Sequence, residues 1–308
     1  MNIEFLLFLQ RYRSDVLNEI FTLITSLGEE KIYIYILMAV YLGISSSLGW
    51  KLGTYLNCAG LISSVTKIIC KIPRPWVLDK KIIPVEEALE GASGFSFPSG
   101  HSSQGTSIYA GIMINCKKHL VKIMALTIWI GVCFSRMYLG VHTPLDVIVS
   151  VLIVFFVIFL ERRKIRFSCR QLSVIAICLL GFAIYCAIKG STSAAHIMVI
   201  SYRDVFRKAL VLFTFILCWI INSRYVKYAV PKNIIMRIII ILFGGILVYL
   251  FREYVMLGVS SWLKAGFGSV LGKILAKGIS SSGVMVIIYW LVPSIVMEVK
   301  SVQNNKGY

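Results

Sequence analysis

Apolar runs of about 17–20 residues recur along this chain, and no other feature restricts its fold so much. Wound as an α-helix at about 1.5 Å per residue, such a run matches the roughly 30 Å hydrocarbon core of a bilayer. A hydrophobic fraction of 58% over 308 residues agrees, because a soluble domain of that size needs more polar surface. The mean hydropathy of +0.82 points the same way. The expected fold class is all-α, a polytopic transmembrane helical bundle.

In such a chain the net charge of +18 reads differently than in a soluble protein. Basic residues gather between the apolar runs: Lys117, Lys118 and Lys122; then Arg162, Arg163, Lys164, Arg166 and Arg170; then Arg224, Lys227, Lys232 and Arg237. Clusters in alternate short loops are what the positive-inside rule predicts for the cytoplasmic side. Nucleic-acid binding is the rival reading of a basic chain. These clusters flank spans and lack interleaved stacking aromatics, so no nucleic-acid partner is expected. The eight cysteines lie mainly in or beside apolar runs, with no CxxC pair and no His/Cys spacing suited to zinc. They read as packing residues. The N-terminus lacks the cationic start of a cleavable signal and reads as a short interfacial helix, with Arg11 and Arg13 on the cytoplasmic side.

The first expected span is short, residues 16–28, and closes in a tight turn at Glu29, Glu30 and Lys31. Further spans follow at 32–48, 52–70, 102–116, 120–139 and 143–160, with a long polar stretch at 71–100. A loop of that length is unusual unless functional. Beyond a basic stop at 161–170, four more apolar stretches lie near 172–188, 209–221, 234–251 and 279–297. The Gly/Ser-rich segment 258–278 between the last two reads as re-entrant or surface. Two regions result: a six-helix core over residues 1–165, and a further membrane region of about four segments over 166–308. With the N-terminus inside, the long loop and the turn near residue 140 both face out.

Three short strings converge on that outer end: KIICKIPRP from Lys67 to Pro75, PSGH from Pro98 to His101, and SRMYLGVHTPLD from Ser135 to Asp146. His142 and Asp146 are spaced i, i+4, so they meet on one face of a helix start. A carboxylate on one imidazole nitrogen fixes the tautomer and leaves the other free to attack. The bland alternative is a helix N-terminal carboxylate beside a surface histidine. Arg136 carries a guanidinium that can hold two phosphoryl oxygens, or it snorkels at the interface. Ser99 and Gly100 open a helix and can present a hydroxyl and backbone N–H groups to an anion, with His101 placed to protonate a leaving group. A plain N-cap serine is the competing account. Lys67 and Arg74 flank a helix end and can complete an anion cage, or simply be cations there.

Taken together these residues resemble the signature of the type 2 phosphatidic acid phosphatase (PAP2) superfamily, K-x6-RP, PSGH and SR-x5-H-x3-D, whose site is shared with vanadium haloperoxidases. Every element is present at those spacings. The flanking text GFSFPSGHSSQ and FLQRYRSDVLNEIFTLITSLGEE is similar to bacterial lipid-phosphatase members, and the resemblance covers roughly residues 1–160. It implies a metal-independent phosphatase acting through a phosphohistidine, with no cofactor and no resident vanadate. By the same resemblance His142 is the nucleophile, Asp146 orients it and His101 is the general acid. Lys67, Arg74, Ser99, Gly100 and Arg136 hold the phosphoryl oxygens. The expectation is an integral membrane lipid phosphatase, in the plasma membrane of a bacterium, whose substrate is a membrane lipid phosphate such as a polyprenyl diphosphate or phosphatidic acid. A phosphotransferase that uses the same site with an acceptor other than water is the alternative.

Overall fold

The computed structural model describes residues 2–163 and 167–305. Lys164 and Arg166 of the basic stop, and the expected boundary between residues 165 and 166, lie outside them. Helix accounts for 83% of the chain, with no strand among the described residues, so the all-α membrane bundle stands.

The helices are α1 (Asn2–Gln10), α2 (Asp15–Ser26), α3 (Glu30–Ala39, continued by a π turn at Val40–Ile44), α4 (Ser46–Cys70) and the short α5 (Pro75–Leu78). After the long loop come α6 (Gly100–Gly105), which runs through a π turn into α7 (Gly111–Asn115), then α8 (His119–Tyr138) and α9 (Pro144–Arg162). The remainder comprises α10 (Cys169–Thr192), α11 (His196–Ile221), α12 (Ile234–Leu250), α13 (Met256–Phe267), α14 (Ser269–Val286) and α15 (Val292–Asn305). Among the described residues, five helical stretches are long and apolar enough to cross a bilayer: His119–Tyr138, Pro144–Arg162, Cys169–Thr192, Ile234–Phe267 and Ser269–Glu298.

The chain gathers into two compact units. The first holds Met1–Ile34, Thr54–Ile165 and Ala194–Ser201; the second holds Tyr35–Gly53, Arg166–Ser193 and Tyr202–Tyr308. In the first unit, α4, α6–α7, α8 and α9 run between two distinguishable ends. At one end Tyr55 donates to Glu161 Oε2 (3.0 Å). At the other lie all three motif strings.

Helix α2 departs from the span expected at 16–28. Its 12 residues reach only about 18 Å, and both its flanks touch the motif end. Arg13 donates to the carbonyl of Tyr138 (2.9 Å), and Thr25 accepts from Arg136 (2.7 Å). Gln10 also reaches this end, bonding Lys81 O and Ile83 N. The segment leading into α2 therefore shares the end that carries the motifs, and the opposite placement of Arg13 and the motifs expected from charge alone does not hold. Phe21 packs with Tyr138 and Phe134, while Val16, Leu17, Ile20 and Leu23 stay exposed.

The loop after α4 is a packed structure. Val85, Ala88 and Ala92 bury against Tyr138, Leu139 and Val141, and Val85 N–H donates to Leu139 O (3.0 Å). In the second unit, the Gly/Ser-rich segment 258–278 is helical except at Gly268, whose φ of +79° turns α13 back along α14. The small residues here serve close packing. A Cβ on Gly272 would come within 2.6–2.7 Å of the Lys264 and Leu263 backbone.

Candidate active site

Helix α4 delivers Lys67 on its last turn and stops before Pro73 and Pro75, neither of which can donate to a continuing helix. Lys67 Nζ donates to the carbonyls of Phe95 (3.0 Å), Ser96 (3.1 Å) and Pro98 (2.6 Å). Arg74 is buried and works in the same way: Nε to Gly94 O (3.1 Å), Nη2 to Ser93 O (3.0 Å) and Nη1 to Val141 O (3.0 Å). These cations spend most of their hydrogens holding residues 93–98 in place, while their charge stays in the site.

Arg74 Nη1 also meets His142 Nε2 at 3.0 Å. A guanidinium only donates, so Nε2 accepts and the ring proton belongs on Nδ1. That nitrogen faces Asp146 Oδ2 and Ser96 Oγ, each at 3.4 Å. Asp146 Oδ2 in turn accepts from Ser96 Oγ (2.6 Å) and from Thr143 N–H (2.8 Å). The last contact is half of a capping box: Thr143 caps α9 and Asp146 is its third residue. One carboxylate thus starts a helix and fixes a tautomer. Burial, then the charges of Arg74, Arg136 and Lys67, hold His142 well below the ordinary imidazole value. It is unprotonated at neutral pH.

Arg136 sits on the last turn of α8 and is 1% exposed. Nη1 donates to Thr25, whereas Nε and Nη2 are buried without a hydrogen-bond partner. Ser99 caps α6, accepting from Ser102 Oγ (2.9 Å), and its N–H donates to Asp146 O (3.0 Å). Beside Gly100, a Cβ would meet no atom within 4 Å, so this edge of the site is open. His101 stands just above the apolar run 102–116, with its side chain 11% exposed and Nε2 buried without a hydrogen bond. Burial and then Arg136 lower its pKa to about 4, while Glu29 opposes them.

All eight residues expected from the sequence therefore lie at one end of one unit. His142 contacts both Asp146 and Arg74, Lys67 holds the loop segment beside them, and Arg136 and His101 carry unsatisfied buried nitrogens. Three further contributors had escaped notice: Ser96 on Asp146, Thr25 on Arg136 and Glu29 facing His101. Ser96 lies two residues before Pro98, inside quoted text, and that proximity was the available signal.

The family profile of the PAP2 superfamily matches residues 48–168. Over 145 residues the chain is 30% identical to phosphatidylglycerophosphatase B of Bacillus subtilis (strain 168), covering 44% of this chain and 69% of that protein. The chain belongs to the PAP2 superfamily. Other PAP2 relatives span less: sphingosine-1-phosphate phosphatase 2 of Mus musculus is 30% identical over 145 residues, 44% of this chain and 38% of that protein. For the Homo sapiens protein of the same name the values are 30% over 140 residues, 44% and 34%. The match thus spans little more than a third of these two relatives. No solved structure matches the chain. All eight expected site residues, and Ser96, fall inside the PAP2 match; Thr25 and Glu29 precede it.

Proposed function

We propose that this PAP2 protein is an integral membrane lipid phosphatase that works through a phosphohistidine on His142, without a metal, at the outer membrane face. The observation that carries the reading is Arg136, a fully buried guanidinium with two unpartnered nitrogens at the end where a histidine is held neutral for attack. A buried, incompletely paired cation costs several kcal/mol, and an anionic ligand is its natural complement. Arg136 supplies the hydrogen-bonding fork, while Lys67 and Arg74 supply field.

In the proposed reaction, the phosphate of a lipid enters beside Gly100 and its oxygens draw on Arg136 and Arg74, releasing the His142 Nε2 lone pair. Nε2 attacks phosphorus, the bond to the leaving oxygen breaks, and His101 gives that oxygen a proton. Asp146 and Ser96 hold Nδ1 and offset the positive charge that develops on the ring. Water then attacks phosphorus, His101 accepts its proton, and the P–N bond breaks to release inorganic phosphate. The relatives' names make phosphatidylglycerol phosphate and a sphingoid phosphate natural substrates to try, beside undecaprenyl diphosphate and phosphatidic acid. The outward orientation is supported by Lys117, Lys118, Lys122, Arg162 and Arg163, which lie toward the end opposite the motifs.

The test is phosphate release from that lipid panel by the purified chain in detergent with EDTA, beside His142→Ala. EDTA-resistant release abolished by the substitution is expected. Loss of activity in EDTA sinks metal independence, and undiminished release by His142→Ala sinks the nucleophile. Phosphate passed to an added alcohol, with little released free, turns the reading to a phosphotransferase. With chemistry rate-limiting, the rate should fall as pH rises through the His101 ionisation, because the acid must carry its proton. It should fall on the acid side only where His142 gains one, well below the ordinary imidazole value.

A further inference from the structure

The general acid proposed above has a charged neighbour that no motif contains. Glu29 Oε1 lies 4.0 Å from His101 Nε2, the ring nitrogen left without a hydrogen bond. The approach is built into the turn between α2 and α3. Tyr109 Oη donates to Leu27 O (2.9 Å) and ties the turn to the helix segment that carries His101. At Gly28 a Cβ would lie 3.2 Å from His101 O and 2.8 Å from Val132 Cγ1, so only glycine lets the turn dock this closely. On the other side of the ring, Gly91 brings the long loop in; a Cβ there would lie 3.1 Å from His101 Cε1.

We infer that Glu29 is a positioning residue for His101: its carboxylate favours the protonated imidazole and aims it, so that, once a phosphate dianion is bound as well, the leaving group receives a proton. The inference rests on the phosphatase reading. The electrostatic need for such a partner is clear from the surroundings. Arg136 on α8 and Arg74 in the long loop both act on His101 as cations, and His142 also faces it. Each arginine makes a second positive charge on the imidazole costly, and burial adds to the cost. Glu29 is the anion that opposes them, and a phosphate dianion arriving beside it acts in the same direction. The pairing is reciprocal, since its interaction with His101 is the leading cause holding the Glu29 carboxyl below the ordinary carboxylate range. Its side chain is 39% exposed, so Glu29 can exchange protons with water while His101 cannot do so freely.

A merely structural Glu29 would serve as the residue that begins α3, since its carbonyl accepts from Ile32 and Tyr33 N–H. Two measurements separate the roles. The first compares wild type, Glu29→Gln and Glu29→Asp on an alkyl phosphate lipid and on p-nitrophenyl phosphate, whose leaving group departs without a proton. Glu29→Gln should lose about 10-fold on the alkyl substrate, with its basic pH limb moved lower by about one unit, and stay within about two-fold on the aryl one. Glu29→Asp should recover part of the loss. Equal losses on both substrates, or an unmoved basic limb, overturn the inference. The second is a double substitution: in a His101→Gln background, Glu29→Gln should cost nothing further on the alkyl substrate, whereas an additive loss means that Glu29 does not act through His101. A wild type that releases no phosphate from any substrate defeats the phosphatase reading and this inference with it. An active wild type with an indifferent Glu29 defeats this inference alone.

Discussion

The interior of the first unit holds Arg74, Arg136, His142, Asp146 and a run of serines; that of the second holds Tyr41, Trp50, Phe215, Tyr228 and Tyr289 in ring contact. In the second, two of the buried phenols are satisfied by main-chain carbonyls. Tyr289 donates to Gly49 O (2.9 Å) and Tyr228 to Leu42 O (2.7 Å), and Lys208 is the buried charge there among the described residues. A cavity of about 670 Å³ lies between α11, α12 and α14, lined by apolar side chains with Thr214 and Ser282. In the first, Arg136 Nε and Nη2 and His101 Nε2 are buried without a hydrogen-bond partner at the motif end. Burial demands partners in both interiors, and each holds further unsatisfied atoms, such as the hydroxyls of Tyr138 in the first and Tyr41 in the second. The difference lies in the gathering of such nitrogens at the end that carries His142, which is what the proposed anion site would need.

The sharpest challenge to that contrast is Arg136→Lys, which keeps the charge and removes the fork. A fall in turnover of about 10²-fold is expected, with the melting temperature little changed; a near-wild-type rate would mean that field alone suffices. Next comes Ser96→Ala, which removes a donor from Asp146 and a contact from His142 Nδ1. Roughly 10-fold should be lost from the maximal rate with little change in apparent lipid affinity, and an effect confined to affinity would place Ser96 in binding instead. The smallest kinetic effect belongs to the second unit. Tyr289→Phe should cost about 1 kcal/mol of stability, read by thermal or denaturant unfolding in detergent, and leave the rate within two-fold. A large loss of activity there would show that the aromatic interior is coupled to catalysis.

The helical class was legible because membrane spans announce themselves by length and apolarity. The eight residues that gather at the motif end were legible because each belongs to a short local string. What stayed hidden depends on distance along the chain. Thr25 and Arg136 are 111 residues apart, and a threonine in an apolar helix gives no sign of its partner. The same holds for Glu29, one acid of a pair in a turn. One misreading has its root in composition: α2 is apolar enough to pass for a short span, yet it spans only 12 residues and several of its apolar side chains are exposed. The tasks of Lys67 and Arg74 were also only half visible. Charge can be read from sequence, but the carbonyls that consume their hydrogens cannot.

Asp146 joins two jobs that proteins commonly keep apart, starting a helix and holding the ring of the proposed nucleophile. The first turn of any helix is its weakest part and opens well before the rest. Fraying of α9 at Thr143 would carry the carboxylate away from His142 and free the imidazole to rotate. If His142 acts as proposed, gentle warming should silence the chemistry while the bundle is still intact.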